Sequence, residues 1–171
     1  KLENGRYVSG EVDAFQTLDD AIYEIEGEVD EETPVVDNSW NGSDDELEIA
    51  IGEKAKELVL KACAKYKISP KGLDLMFSKT GATGGVAGHD RTTGRYYLNF
   101  NWELARRNPD EYLNQVVGHE VAHIIHFWLF PGDREHHGYN WQRIMVECYG
   151  LVPSRCHRMD TAGIAHRQES N

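Results

Sequence analysis

The residues best suited to chemistry in this 171-residue chain stand together at His119-Glu120-Val121-Ala122-His123. On an α-helix, positions four apart share a face, so His119 and His123 aim their imidazoles the same way. Two neutral imidazole nitrogens at that spacing suit one tetrahedral zinc ion. Glu120, next to the first of them, reaches a water beside the ion without ligating it, which is the general-base place in an HExxH arrangement. The surrounding residues Val116, Val117, Ala122, Ile124 and Ile125 make the segment apolar and therefore buried. Burying a charge and unpaired imidazoles there is costly without a partner such as a metal.

A catalytic zinc normally takes three protein ligands and keeps one position open. Position alone leaves three candidates for the third ligand. His137 follows His123 by 14 residues, across a Pro131-Gly132 break that lets a loop return to the metal. His136 competes as its neighbour. His126 lies on the same helix, but three ligands from one straight helix cannot surround one ion tetrahedrally.

Several elements must hold these residues. Asn108-Pro109-Asp110-Glu111 reads as a helix start, with a cap, Pro at the first position and acids in the first turn. That helix runs to Phe130. Ser43 and Glu46 form a capping box ahead of an amphipathic helix over 44–67, with Leu47, Ile51, Ala55, Leu58, Val59 and Ala62 on its apolar face. Leu73, Leu75 and Phe77 alternate, as do Tyr96, Leu98 and Phe100, which predicts two or three short antiparallel strands punctuated by glycines. The Gly84-Gly85 pair is not a phosphate loop, since no GK[ST] follows, and suits turns or close backbone approach. A third helix is expected over 139–149, stopped by Gly150. The fold class expected is α+β, with a small antiparallel sheet packed on the metal-binding helix and the Ser43-capped helix.

Charge divides the chain at the same place. The net charge is −11, yet residues 1–50 carry 16 acids against Lys1 and Arg6, while the remainder is net positive by 3 and holds all eight histidines. Residues 1–42 therefore read as an acidic N-terminal segment, with a short helix capped by Thr17, that docks on a partner or lies over the chain's own active site. Residues 43–171 form the body. Cys63, Cys148 and Cys156 are odd in number and contain no CxxC, which excludes a disulfide scaffold and a cysteine zinc ribbon. A reducing, intracellular compartment fits that usage. Mean hydropathy is −0.60, and no apolar run approaches the length of a membrane span. The opening KLENGRYVSG has no apolar core of the kind a secretory signal needs.

The body resembles the SprT-like, or Spartan-type, zinc metalloproteases over roughly residues 44–160. The shared parts run in order: a lysine-bearing first helix, a Gly-rich turn into Tyr96-Tyr97-Leu98-Asn99, VVGHEVAHIIH, HGYNW, and GLVPSRCHRMD. HExxH alone is common to many zinc proteases; HGxxW and the Pro-x-Arg-x-His segment are more specific. The resemblance implies a zincin-like domain and peptide hydrolysis, with Glu120 as general base. His119, His123 and His137 are then the zinc ligands, and Trp141 packs beneath the site. Tyr139, Arg155 and His157 are candidates for stabilising the oxyanion or supporting the metal ligands. It also implies a protein substrate associated with or crosslinked to DNA. Lys54, Lys56, Lys61, Lys65, Arg91, Arg95, Arg106 and Arg107 would form a basic rim for single-stranded DNA, with Tyr96, Tyr97 and Trp102 stacking on bases. The chain carries no CxxC ribbon after the protease core, and residues 1–42 match no part of the family pattern. A catalytically silent or latent zinc-binding scaffold within a larger assembly is the alternative.

Overall fold

A computed structural model describes the paired strands β1 (Leu2–Glu3) and β2 (Arg6–Tyr7), then residues 40–154 and 159–164. The helix expected after Thr17 lies outside the described residues, as do Arg155, Cys156 and His157.

Helix α1 (Asp44–Tyr66) begins with the reciprocal cap that its sequence calls for. The Glu46 N–H donates to Ser43 Oγ at 3.2 Å, and the Ser43 N–H donates to Glu46 Oε1 at 2.9 Å. Leu47, Ile51, Ala55, Leu58, Val59 and Ala62 form its buried stripe. The helix stops at Lys67, which turns left-handed with φ of 57°.

The sheet contains β3 (Leu73–Met76), β4 (Gly85–His89) and β5 (Tyr96–Phe100) in the spatial order β3-β5-β4. β4 pairs antiparallel with β5, as expected, but β3 runs parallel to β5. The wholly antiparallel sheet is therefore corrected to a mixed one. β5 inserts between its two predecessors, so the chain leaving β3 crosses the end of the sheet through residues 77–84 before β4 begins. Alternation of apolar residues reports which face is buried and says nothing about which neighbour a strand takes.

A short helix, α2 (Trp102–Arg107), follows β5 directly. Asn101 caps it by accepting from the Leu104 N–H at 3.2 Å. The next helix starts at Pro109 as expected, although Asn108 makes no side-chain cap. Its amide instead accepts from the Asp160 N–H at 2.8 Å and donates to Leu104 O at 3.1 Å, which ties the 159–164 segment to α2.

One turn of α-helix, α3 (Pro109–Glu111), passes into a π-helical turn (Tyr112–Val116) and then into α4 (Val117–Leu129). The wider turn rephases the helix, so the face that starts at Pro109 differs from the face carried by α4. α4 is buried along most of its length and packs on α1, β4 and β5. Gly118 lets Leu151 lie directly against its backbone, where a Cβ would collide. The last helix is α5 (Tyr139–Arg143) continued by a second π turn (Ile144–Cys148), and Gly150, with φ of 62°, ends it. Trp141, Tyr112, Phe100, Leu98 and Ile124 are among the largest fully buried side chains, and Cys63 and Cys148 are buried free thiols. Among the described residues no helix is long and apolar enough to cross a membrane.

Candidate metal centre

Helix α4 presents His119 and His123 one turn apart, and the loop after Phe130 returns His137 to them. Their Nε2 atoms form a nearly equilateral triangle. The edges are 3.3 Å for His119 to His123, 3.1 Å for His123 to His137, and 3.2 Å for His119 to His137. Ligands placed at zinc–nitrogen distances around a tetrahedral ion stand about 3.3 Å apart, so the triangle matches one face of such a polyhedron. Burial, reinforced by the neighbouring histidines, pushes the His123 pKa down to about 2, which keeps that ring neutral with its lone pair available. Among the described residues these three histidines form the group able to hold a metal ion.

Trp141 is fully buried beneath all three rings. Its indole stacks on His123 at 5.2 Å between centroids and meets His119 and His137 edge-on at 4.8 Å each. Its Nε1–H points at the His119 carbonyl, 3.4 Å away. The aromatic floor limits how far any of the three imidazoles can rotate.

Glu120 lies beside this triangle, with an Oε2 3.8 Å from His119 Nε2 and a side chain only 8% exposed. Burial pushes its pKa up to about 8. Strand β4 makes the other wall. A Cβ on Gly85 would sit 3.1 Å from Glu120 Cγ and 3.4 Å from the Asn99 carbonyl, so this strand position admits the carboxylate because it lacks a side chain.

An open cleft of about 630 Å³ runs between these walls, lined by residues 82–87 on one side and by Gln115, His119, Glu120, His123, Phe127 and His136 on the other. β4 is the edge strand there. Asn101 N–H bonds Gly84 O and Asp90 N–H bonds Arg95 O, so the even positions of β4 pair with β5. The backbone groups of Gly85 and Ala87 consequently face the open edge.

The competing histidines separate cleanly. His126 is fully buried and turned away from the triangle, with Nε2 2.8 Å from Asp133 Oδ2. His136 lines the cleft and meets Phe127 edge-on, outside the ligand group. Tyr139 opens α5 and does not line the cleft. Arg155 and His157 lie outside the described residues.

Five of the eight cations expected in the basic rim pair with carboxylates while staying partly exposed. Lys54 pairs with Glu57, Lys65 with Glu147, Arg95 with Asp74, and both Arg106 and Arg107 with Glu103. Tyr96 is stacked on His89 at 4.1 Å, and Trp102 packs edge-on against Phe77 at 5.9 Å.

Residues 55–157 match the SprT-like family. The chain belongs to the SprT-like family. The Protein SprT of Pseudomonas putida is 50% identical over 64 residues, covering 37% of this chain and 38% of that protein. The Protein SprT of Pseudomonas entomophila is 46% identical over 63 residues, with the same coverage, and that of Pseudomonas paraeruginosa is 44% identical over 81 residues, 47% of each chain. The matched stretch thus spans less than half the length of these relatives. No solved structure matches the chain.

Three residues of this SprT-like domain that shape the site escaped the sequence reading. Asn101 is fully buried, donates to the Gly81 and Thr83 carbonyls at 2.8 Å each, and so fixes the loop at the cleft wall. Tyr112, on the π turn, donates to Gly84 O at 2.6 Å and accepts from the Asn101 N–H at 2.9 Å, tying the wall to the helix that carries His119 and His123. Asp133 receives His126. An acid placed between His123 and His137 was the available signal for Asp133; Asn101 and Tyr112 carried none, since their partners are distant in sequence.

Proposed function

We infer that this SprT-like chain is a zinc-dependent endopeptidase with a zincin-like arrangement of helix and sheet edge. The observation that carries this reading is the Nε2 triangle of His119, His123 and His137 with the Glu120 carboxylate beside it. Its edges fit a tetrahedral ion, and three imidazoles are a donor set suited to zinc with one position left open. Zinc held there supplies Lewis-acid polarisation of a carbonyl and lowers the pKa of water.

The chain's own groups do the rest. Glu120, in a water-poor niche, takes the proton of the attacking water and later delivers it to the leaving amine nitrogen. A carboxyl whose burial raises its affinity for protons is suited to both halves of that transfer. An extended peptide aligned on the free edge of β4 would pair with Gly85 and Ala87, bringing a scissile bond past Glu120. A protein substrate bound or crosslinked to DNA is the class implied by family likeness. The paired rim cations stay partly exposed, so DNA phosphates would compete with weak surface carboxylate partners for them.

The test compares zinc-loaded wild type with Glu120→Gln on a DNA-binding protein, with and without single-stranded DNA. Cleavage by wild type alone is expected, and stimulation by DNA supports the substrate class. If both proteins bind zinc and neither cleaves, the scaffold reading replaces the protease.

A further inference from the structure

His137 is the one ligand of the triangle that does not stand on α4. Two of the triangle's three edges therefore depend on how the loop from Phe130 to Gly138 is held. That loop has no regular secondary structure. Its shape is set at Asp133, whose carboxylate collects three donors. Oδ2 accepts from His126 at 2.8 Å and from Asn140 Nδ2 at 3.0 Å, and Oδ1 accepts from the Glu135 N–H at 3.0 Å. Each donor belongs to a different part of the chain: the metal-bearing helix, the loop itself and the start of α5. His137 lies between the last two.

The His126 end matters most. It is fully buried one turn beyond His123, so Asp133 is referenced to the same rigid helix that carries the other two ligands. Burial raises the Asp133 pKa, but the bonds from His126, Glu135 and Asn140 outweigh it and hold the carboxyl below its usual range. Asp133 is therefore an ionised acceptor, and His126 Nε2 carries the proton between them. The far side of the loop is closed by Gly138 N–H to Glu135 O at 3.0 Å and by Gln142 Nε2 to His137 O at 3.0 Å.

The geometry points to His126, Asp133 and Asn140 as a clasp that positions His137 and thereby sets metal affinity. This rests on the metal reading above and goes beyond it. The three are positioning residues: none touches the ion's site, and each acts through the loop. A ligand carried by an untethered loop must be ordered on binding, whereas one already held at 3.1–3.2 Å from its partners need not be.

The experiment measures the affinity of the full chain for Zn²⁺ alone, by competition with a chromophoric chelator, alongside Co²⁺ absorption spectra and urea unfolding of the metal-free protein. Asp133→Ala is expected to weaken zinc binding roughly 10–100-fold and to reduce the cobalt ligand-field bands. Asp133→Asn, which keeps part of the acceptor set, should lose less. His126→Phe, an apolar replacement at a fully buried position, should lose about tenfold and keeps the test open if Asp133→Ala does not fold. Tyr149→Phe removes the bond from Tyr149 to Leu58 O at 2.8 Å and serves as the control for general destabilisation; its zinc affinity should equal that of wild type. Zinc affinities of His126→Phe and Asp133→Ala within twofold of wild type would overturn the clasp, as would an equal loss in Tyr149→Phe. A wild type that takes up no zinc would instead overturn the metal reading itself.

Discussion

Gly85 of β4 lies against Glu120 of α4 so closely that one added carbon would stand 3.1 Å from the glutamate Cγ. The position is in an ordinary strand conformation, so alanine meets no backbone penalty there and its effect would be felt through Glu120. Gly85→Ala should lower kcat roughly tenfold while leaving zinc content unchanged, because small displacements of a proton-transfer group are costly. Steady-state kinetics with metal analysis on the same samples checks this. A variant that loses zinc in proportion to activity would contradict it.

Glu120→Gln removes the proton acceptor and keeps the side chain's size. Peptidase activity should fall by roughly two to four orders of magnitude, the usual share of general acid–base catalysis. One equivalent of zinc should remain, since Glu120 is not part of the ligand triangle.

Removal of the metal or of a ligand should show in stability. Chelation should lower the melting temperature of wild type. His137→Ala should abolish the zinc-dependent part of that shift, because a metal that binds only the folded chain stabilises it by about 4 kcal/mol at a thousandfold excess over Kd. Calorimetry with and without zinc tests both statements. A His137→Ala protein that still gains the full zinc shift would remove His137 from the ligand set.

The pH dependence of the metal-free protein has two opposing parts. His123 and His126 have folded pKa values below the ordinary imidazole value, chiefly through burial. The unfolded chain therefore binds protons that the native one does not, and stability, full above about pH 6.5, falls as pH drops. Glu120, raised to about 8, works the other way: its buried charge is relieved as pH falls through 8 toward its unfolded value. Glu120→Gln deletes the second part. From pH 6.5 to 5.5 that variant should lose about 1 kcal/mol through His123, with His126 adding in the same direction, and wild type should lose less. Urea titrations at the two pH values read the difference; equal losses in the two proteins would refute the assignment.

Asn101 uses both amide hydrogens and its carbonyl inside the protein. Asn101→Ala would leave the Gly81 and Thr83 carbonyls and the Leu104 N–H without that partner. A loss of about 2–4 kcal/mol follows from the desolvation of orphaned groups, measurable by chemical denaturation. A change under 1 kcal/mol would show that water replaces the side chain.

What the sequence determined by itself was local or repetitive. The Ser43-Glu46 cap, the apolar period of α1, the Pro109 start and the Gly150 stop each act within a few residues, and all reappear where expected. The i, i+4 spacing of His119 and His123 is likewise a property of one helix. Position left His137, His136 and His126 as alternatives; family likeness favoured His137, and folding brings that one to the triangle. Tertiary structure alone decided the rest. The parallel pairing of β3 with β5 depends on which strand is free to receive it. The place of Gly85 against Glu120, the reach of Tyr112 to Gly84 and the grip of Asp133 on His126 join groups from different elements. The ion pair between Arg95 and Asp74 likewise joins the approach to β5 with β3, two strands that only folding sets side by side. Helix signals are written in short-range backbone and capping energetics, whereas these contacts exist only after the chain has collapsed and excluded water around them.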